Sequence, residues 1–219
     1  MLEQASMDED HSLRWLKKLL AGEIRSDSYF KAALLQIRKD GEILTPGSVY
    51  DDADSPTNIC FLNCRELDFA GRAFLRTDPK KIIFLCREEF DYGIKMGKWE
   101  DLVRVVTHEM IHWIDDSQSR LDLADRKDLY CSEIRAALLS GQCQNYYNGK
   151  NKIFDMLLNR SHECAKEKAM ASMKMSGPYT PAEGDFEKCL QNPFPWASIP
   201  INEKAADAKF KEFFLDGDK

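Results

Sequence analysis

The sequence predicts an α+β fold, mainly helical, with a small β-sheet beside one central helix. Three observations predict it. Apolar residues Leu102, Val103, Val106, Met110, Ile111, Trp113 and Ile114 keep a helical period across Trp99–Ser117. Lys81-Ile82-Ile83-Phe84-Leu85-Cys86, introduced by Asp78-Pro79, is the clearest strand, rich in β-branched and aromatic residues. Ile59–Leu62 and Ala73–Leu75 are shorter apolar runs that could join it in a sheet.

The remaining elements follow in chain order. From Ser12 to Lys39 the pattern is helical in two pieces, with Leu13, Leu16, Leu19 and Leu20 on one face and Phe30, Ala33, Leu34 and Ile37 on the next. Gly22 and Ser26-Asp27-Ser28 separate them, Ser26 or Asp27 serving as N-cap, and Gly41 ends the second. Thr45 to Asn58, rich in Gly, Pro, Asp and Ser, reads as a loop. Gly93 and Gly97 read as breaks before the central helix. Asp122–Leu139 and Asn148–Met175 read as helices, Phe186–Leu190 as a short turn, Asn192–Pro200 as an extended Pro-rich wrap and Asn202–Lys219 as a charged tail. Residues 1–58 then form an N-terminal helical segment and loop, residues 59–200 the main domain and residues 201–219 the tail.

A net charge of −6 disfavours nucleic acid as a partner, because phosphate binding needs a basic face. No apolar run approaches the ~20 residues needed to cross a bilayer, so any membrane association is expected to be peripheral. The start, MLEQASMDEDHSLRWLKKLL, carries acidic residues and no long apolar region. It resembles neither a secretory signal nor a transit peptide, and composition alone predicts the cytosol. The cysteines (Cys60, Cys64, Cys86, Cys131, Cys143, Cys164 and Cys189) leave two readings open. They are buried small apolar residues of a reducing compartment, or a disulfide set that an odd count leaves incomplete.

Chemistry concentrates in the central helix, at Thr107-His108-Glu109-Met110-Ile111-His112. Residues four apart on a helix sit roughly 40° apart around its axis, so both imidazoles of H-E-x-x-H leave one face. That suits one tetrahedral Zn²⁺ per chain, with Glu109 beside it as the acceptor of a water proton. The alternative is an amphipathic helix that happens to carry two histidines. Catalytic zinc takes a third protein ligand. His162 lies in a charged helix and reads as solvated. Gln118 stands where the longer H-E-x-x-H-x-x-G-x-x-H pattern needs its last histidine. Glu133 and Asp115 remain. Glu133 lies on the next helix, beside Leu129, Ala136 and Ala137, at the interval of thermolysin-like, zincin-type enzymes. Asp115 shares the face of His112, but a straight helix hardly gives one ion three ligands from successive turns. Glu133 is therefore the favoured ligand, and Asp115 a residue that orients a ligand histidine. The strand just before the helix is expected to hold an extended substrate along its edge. An oxyanion donor is unassigned among Tyr130, Tyr146, Tyr147, Arg135 and His162.

Val106-Thr-His-Glu-Met-Ile-His-Trp-Ile-Asp-Asp116 and Cys131-Ser-Glu-Ile-Arg-Ala-Ala-Leu-Leu-Ser-Gly-Gln-Cys143 together resemble the mitochondrial inner membrane metalloprotease family that assists ATP synthase assembly. Ile83-Phe-Leu-Cys86, Cys164 with Ala169 and Ser172, Phe186-Glu-Lys-Cys189, Asn192-Pro-Phe194 and Ile199-Pro200 extend the likeness from Cys60 to Pro200. The resemblance implies a zincin-like metalloprotease with His108 and His112 as zinc ligands and Glu109 as the catalytic acid/base. It also implies residence on the intermembrane-space side of the mitochondrial inner membrane, bound peripherally and imported by oxidative folding through cysteines. The implied partners are an ATP synthase subunit precursor and other intermembrane-space proteins. A non-proteolytic chaperone for ATP synthase assembly is the alternative from another class, to which Phe194–Trp196 and the helical faces could contribute. A purely structural zinc site is disfavoured, since two His and one Glu leave an open coordination position.

Overall fold

The computed structural model describes residues 11–47, 56–118, 121–143, 154–175 and 177–191, the stretch 154–160 by its backbone. The expected start of the 148–175 helix, the Pro-rich wrap and the charged tail fall wholly or partly outside the described residues, as do Tyr146 and Tyr147. Among the described residues the fold is α+β, with helices α1 (His11–Leu20), α2 (Ser28–Lys39), α3 (Arg87–Lys95), α4 (Trp99–Ser117), α5 (Arg126–Leu139), α6 (Phe154–Met175) and α7 (Asp185–Gln191). The strands are β1 (Pro46–Gly47), β2 (Ile59–Leu62), β3 (Ala73–Arg76) and β4 (Ile82–Cys86).

Local chemistry explains most boundaries. The Asp27 carboxylate accepts from the Phe30 N–H at 2.9 Å and starts α2. Asp125 does the same for α5, accepting from Lys127 and Asp128 N–H at 2.8 and 3.1 Å. Helix α5 therefore begins later than its apolar pattern suggests. The loop after α2 holds a short strand, because Pro46 and Gly47 pair in parallel with Ile59 and Cys60. Residues 87–95, expected as a connection broken by Gly93, form α3. Glycine is tolerated there because α4 comes so close: a Cβ on Gly93 would lie 2.7 Å from Cδ2 of Leu102.

The sheet runs in the order β1-β2-β4-β3. β1, β2 and β4 are parallel, and β3 returns antiparallel to β4 with Phe74 opposite Phe84. Every residue of β4 is buried, as a continuous apolar run in a strand covered on both faces should be. This corrects the expectation for β4. Both of its edges are occupied, by β2 and β3, so it cannot take a substrate strand. The outer edge next to the central helix belongs to β3.

Two hydrophobic bodies flank the centre. The first joins α1, α2 and α4 to one face of the sheet through Leu16, Phe30, Phe61, Leu85, Val106 and Ile111. The second joins α5, α6 and α7 through Tyr130, Ile134, Ala165, Ala169, Phe186 and Cys189. Three disulfides form, which decides the open question about the cysteines. Cys64–Cys86 ties β4 to the residues just after β2, and Cys131–Cys189 joins α5 to α7. Cys143–Cys164 joins the end of α5 to α6. Buried Cys60 accounts for the odd count. Such pairing belongs to an oxidising environment. Cys131–Cys189 closes a separation of 58 residues, for which loop entropy sets a stabilisation of about 4 kcal/mol. Replacing both cysteines by serine is expected to lower the melting temperature by several degrees in a calorimetric scan. An unchanged melting point would show that the second body does not depend on this staple.

Candidate metal centre

Helix α4 is held on all sides, which fixes the direction of its side chains. Met110, Ile111 and Ile114 are fully buried, and the indole N–H of Trp113 donates to the Glu42 carboxylate beyond α2. Thr107 is also fully buried, and its hydroxyl donates to the Val103 carbonyl at 2.8 Å. Between these anchors His108 and His112 emerge toward α5, one turn apart. Their Nε2 atoms face each other at 3.1 Å.

Glu133 meets them from α5. Its Oε2 lies 3.2 Å from His108 Nε2, and its Oε1 lies 3.5 Å from His112 Nε2. A tetrahedral ion with bonds of about 2.0–2.1 Å places its ligand atoms about 3.3–3.4 Å apart. The 3.1 Å between the two Nε2 atoms and the 3.2 Å from His108 Nε2 to Glu133 Oε2 lie near that edge, and the 3.5 Å contact to His112 is made by the other carboxylate oxygen, Oε1. No other set of His, Cys, Asp and Glu among the described residues converges in this way. The donor set of two imidazoles and one carboxylate fits zinc chemistry and leaves a fourth position open.

His112 and Glu133 are oriented from behind, whereas Nδ1 of His108 is buried with no hydrogen-bond partner among the described residues. Ser132 lies 2.7 Å from Nδ1 of His112 and donates its own proton to Asp115 Oδ2 at 2.7 Å. With that proton committed, the serine oxygen accepts from Nδ1–H, so a neutral His112 keeps its lone pair on Nε2, toward Glu133. Asp115 is clamped on its other oxygen by Arg135 at 2.7 Å, an ion pair with both side chains buried. Asp115 thus lies behind His112, on the far side from the three converging atoms. The Ser172 hydroxyl, from α6, donates to Glu133 Oε1 at 2.5 Å. Ser132 and Ser172 were absent from the site predicted by sequence. Ser132 sits beside Glu133 in the chain, where the helical face offered a clue. Ser172 lies 39 residues further on, where the family resemblance includes it but gives it no role.

The pocket favours positive charge at its centre. Burial opposes protonation of His112, but Glu133, with Glu109 and Asp115 behind it, outweighs burial and lifts its pKa to about 9. Burial likewise pushes Glu133 upward, yet the two histidines hold its carboxyl far below the usual range. Glu109 behaves differently. Burial raises its pKa, and the histidines and the Leu75 backbone N–H only partly counter this. Its Oε2 is buried with no hydrogen-bond partner among the described residues. A carboxylate in this condition can chemically accept a proton from water. Solvent reaches the centre past His108, whose side chain is 14% exposed.

The other named residues separate from this centre. His162 is half-buried against Phe186, ring centroids 5.5 Å apart, and is therefore not the solvated histidine expected. Tyr130 packs against Tyr179 in the second body, centroids 5.5 Å apart. Arg135 is committed to Asp115.

Strand β3 passes beside the centre. The Cys86 N–H donates to the Arg72 carbonyl at 2.9 Å. By the alternation of an antiparallel ladder, Phe74 and Arg76 also turn their backbone groups toward β4, and Ala73 and Leu75 turn theirs outward. The Leu75 N–H meeting Glu109 agrees with this phase.

Comparison with known proteins places the arrangement. Residues 39–195 match the model described as the Peptidase M76 family. The chain is 36% identical over 136 residues to the mitochondrial inner membrane protease ATP23 homolog of Danio rerio, covering 58% of this chain and 50% of that protein. It is 33% identical over 141 residues to the Homo sapiens homolog, covering 60% and 53%. It is 32% identical over 129 residues to mitochondrial inner membrane protease ATP23 of Saccharomyces cerevisiae (strain ATCC 204508 / S288c), covering 58% and 50%. The chain spans about half the length of these curated relatives. No solved structure matches it. The matched stretch takes in the sheet, α3 to α7 and all three residues of the His-His-Glu cluster, so the chain belongs to the Peptidase M76 family.

Proposed function

We propose that this chain is a zinc-dependent metalloendopeptidase with His108, His112 and Glu133 as metal ligands and Glu109 as catalytic acid/base. The observation that carries the reading is the convergence of two imidazole nitrogens and the Glu133 carboxylate, with contacts of 3.1, 3.2 and 3.5 Å, beside a buried carboxylate with one unpartnered oxygen. Zinc, when bound, supplies a Lewis acid that lowers the pKa of water and polarises a carbonyl. The chain's own residues do the rest. Ser132 and Asp115 hold His112 in one tautomer, and Ser172 holds Glu133 in place. Glu109 takes the proton of the attacking water and returns it to the leaving amine nitrogen. The outward backbone groups of Ala73 and the Leu75 carbonyl offer an extended peptide β pairing close to Glu109, which itself engages the Leu75 N–H.

The zincin-like fold class belongs to this same reading, supported by the helix, the antiparallel edge strand and the Glu from the following helix. Residues 59–200 would be the catalytic unit, with α1 and α2 stiffening the back of α4. The names of the relatives support a place at the mitochondrial inner membrane, and the three disulfides suit its intermembrane-space side. Substrates there would be an ATP synthase subunit precursor and intermembrane-space proteins. No described helix is long and apolar enough to cross a membrane, and peripheral attachment accords with this. The test is cleavage of an unfolded polypeptide by zinc-loaded protein, followed by chelation. Cleavage should stop with chelator and return with zinc. Cleavage indifferent to chelator would overturn the metal reading, and none from zinc-loaded protein on any unfolded substrate would favour the assembly-factor alternative.

A further inference from the structure

The turn between α3 and α4 carries a surface that the peptidase chemistry does not use. Tyr92, Met96 and Trp99 are 53%, 55% and 41% exposed. Single exposed apolar residues need no explanation. Three on one tight connection, with exposed Lys95 and Lys98 among them, form a patch. The turn is well ordered by its own bonds. Gly97 takes a left-handed φ of 67°, its N–H donates to the Ile94 carbonyl at 3.1 Å, and the Lys98 N–H donates to the Gly93 carbonyl at 2.8 Å. Lys98 Nζ lies 5.3 Å from the centre of the Tyr92 ring, and Trp99 stacks on Trp15 of α1 with centroids 6.2 Å apart.

Beside the patch a cleft of about 1200 Å³ opens between α1, the start of α2 and the start of α4. Its basic lining includes Arg14, Lys18, Arg25, Lys31 and Lys98. The lining also carries three acids, Asp27, Glu100 and Asp101, and one further cation, Arg104. Glu100 and Asp101 lie 3.6 and 3.5 Å from the Arg104 guanidinium, and Asp27 caps α2. On a chain of net charge −6 this face is locally basic. Aromatic rings, a flexible thioether and lysines around one small protrusion are what a bilayer interface accepts. The rings settle at headgroup depth, and each basic residue near an anionic surface adds about 1 kcal/mol.

We propose that the α3–α4 turn is the membrane-contact face of this protein. Tyr92, Met96 and Trp99 enter the interface, and Lys95, Lys98 and the adjoining basic cleft hold the headgroups of anionic phospholipids. The proposal rests on the peripheral membrane attachment in the functional reading above and is independent of its metal chemistry, since it uses none of the metal-centre residues.

The test is co-sedimentation of the full chain with vesicles of phosphatidylcholine, alone or with about one fifth anionic phospholipid. Because Trp99 also packs on Trp15, the main variant is the exposed triple Lys95→Glu/Met96→Ser/Lys98→Glu, with thermal melting to show an unchanged fold. The wild type should pellet with the anionic vesicles far more than with neutral ones. Its binding should weaken in about 1 M salt, where screening shortens to ~3 Å. The triple variant should lose at least about tenfold in partition coefficient. Equal binding to neutral vesicles, or undiminished binding by a folded triple variant, overturns the proposal. So does a concentration-dependent dimer of the wild type that the triple variant lacks, which would assign the patch to a second copy of the chain.

Discussion

Glu109→Gln is expected to keep bound zinc and lose peptide cleavage by at least about 10²–10⁴-fold, the usual share of a positioned acid/base. The amide has the same shape as the carboxylate and can still meet the Leu75 N–H, so packing around α4 should survive. It cannot take a proton from water at neutral pH. The wild-type carboxylate is suited to that task because burial holds its pKa above the ordinary range and one oxygen lacks a partner. The measurement is turnover of an unfolded protein substrate at matched zinc content, the zinc read by metal analysis of the same samples. Turnover near wild type in the metal-loaded variant would remove Glu109 from the chemistry.

Loss of a ligand should act on the metal itself. His108→Ala and His112→Ala are each expected to purify without zinc and to be inactive. Glu133→Ala should weaken zinc binding by more than the 10–100-fold typical of residues that only orient a ligand. Asp115→Asn should fall within that smaller range, because it contacts His112 only through Ser132. Competition against a chromophoric chelator reads both affinities on one scale. If Asp115→Asn costs more than Glu133→Ala, the third ligand has been assigned to the wrong carboxylate. The comparison needs a folded Asp115 variant, since that change leaves Arg135 buried without its anion. Asp115→Asn/Arg135→Met removes the stranded charge and keeps the comparison usable.

The parts of this fold legible in the sequence are those whose causes are local. The period of α4 is visible because one face is uniformly apolar, and β4 because its five residues are all buried and apolar. The paired imidazoles follow from a four-residue interval. What is not legible depends on partners distant in the chain. Gly93 reads as a helix breaker until Leu102 is seen lying against it. The strand at the open edge is β3, and nothing in Ala73–Arg76 distinguishes an edge from an interior position. Disulfide pairing likewise rests on which elements meet, not on cysteine spacing. The Ser172–Glu133 contact requires α6 to cross α5, which no pattern in either helix specifies.

His108 and His112 belong to the body built on the sheet, whereas Glu133 and Ser172 belong to the body built from α5, α6 and α7. An ion gripped by all three ligands would act as a rivet through the seam between α4 and the α5–α6–α7 body, beside the packing that Ala136 of α5 already makes with the first core. By mass action its binding free energy adds to the resistance of that seam to opening. Catalytic competence and mechanical cohesion of the molecule would then rise and fall together with a single occupant.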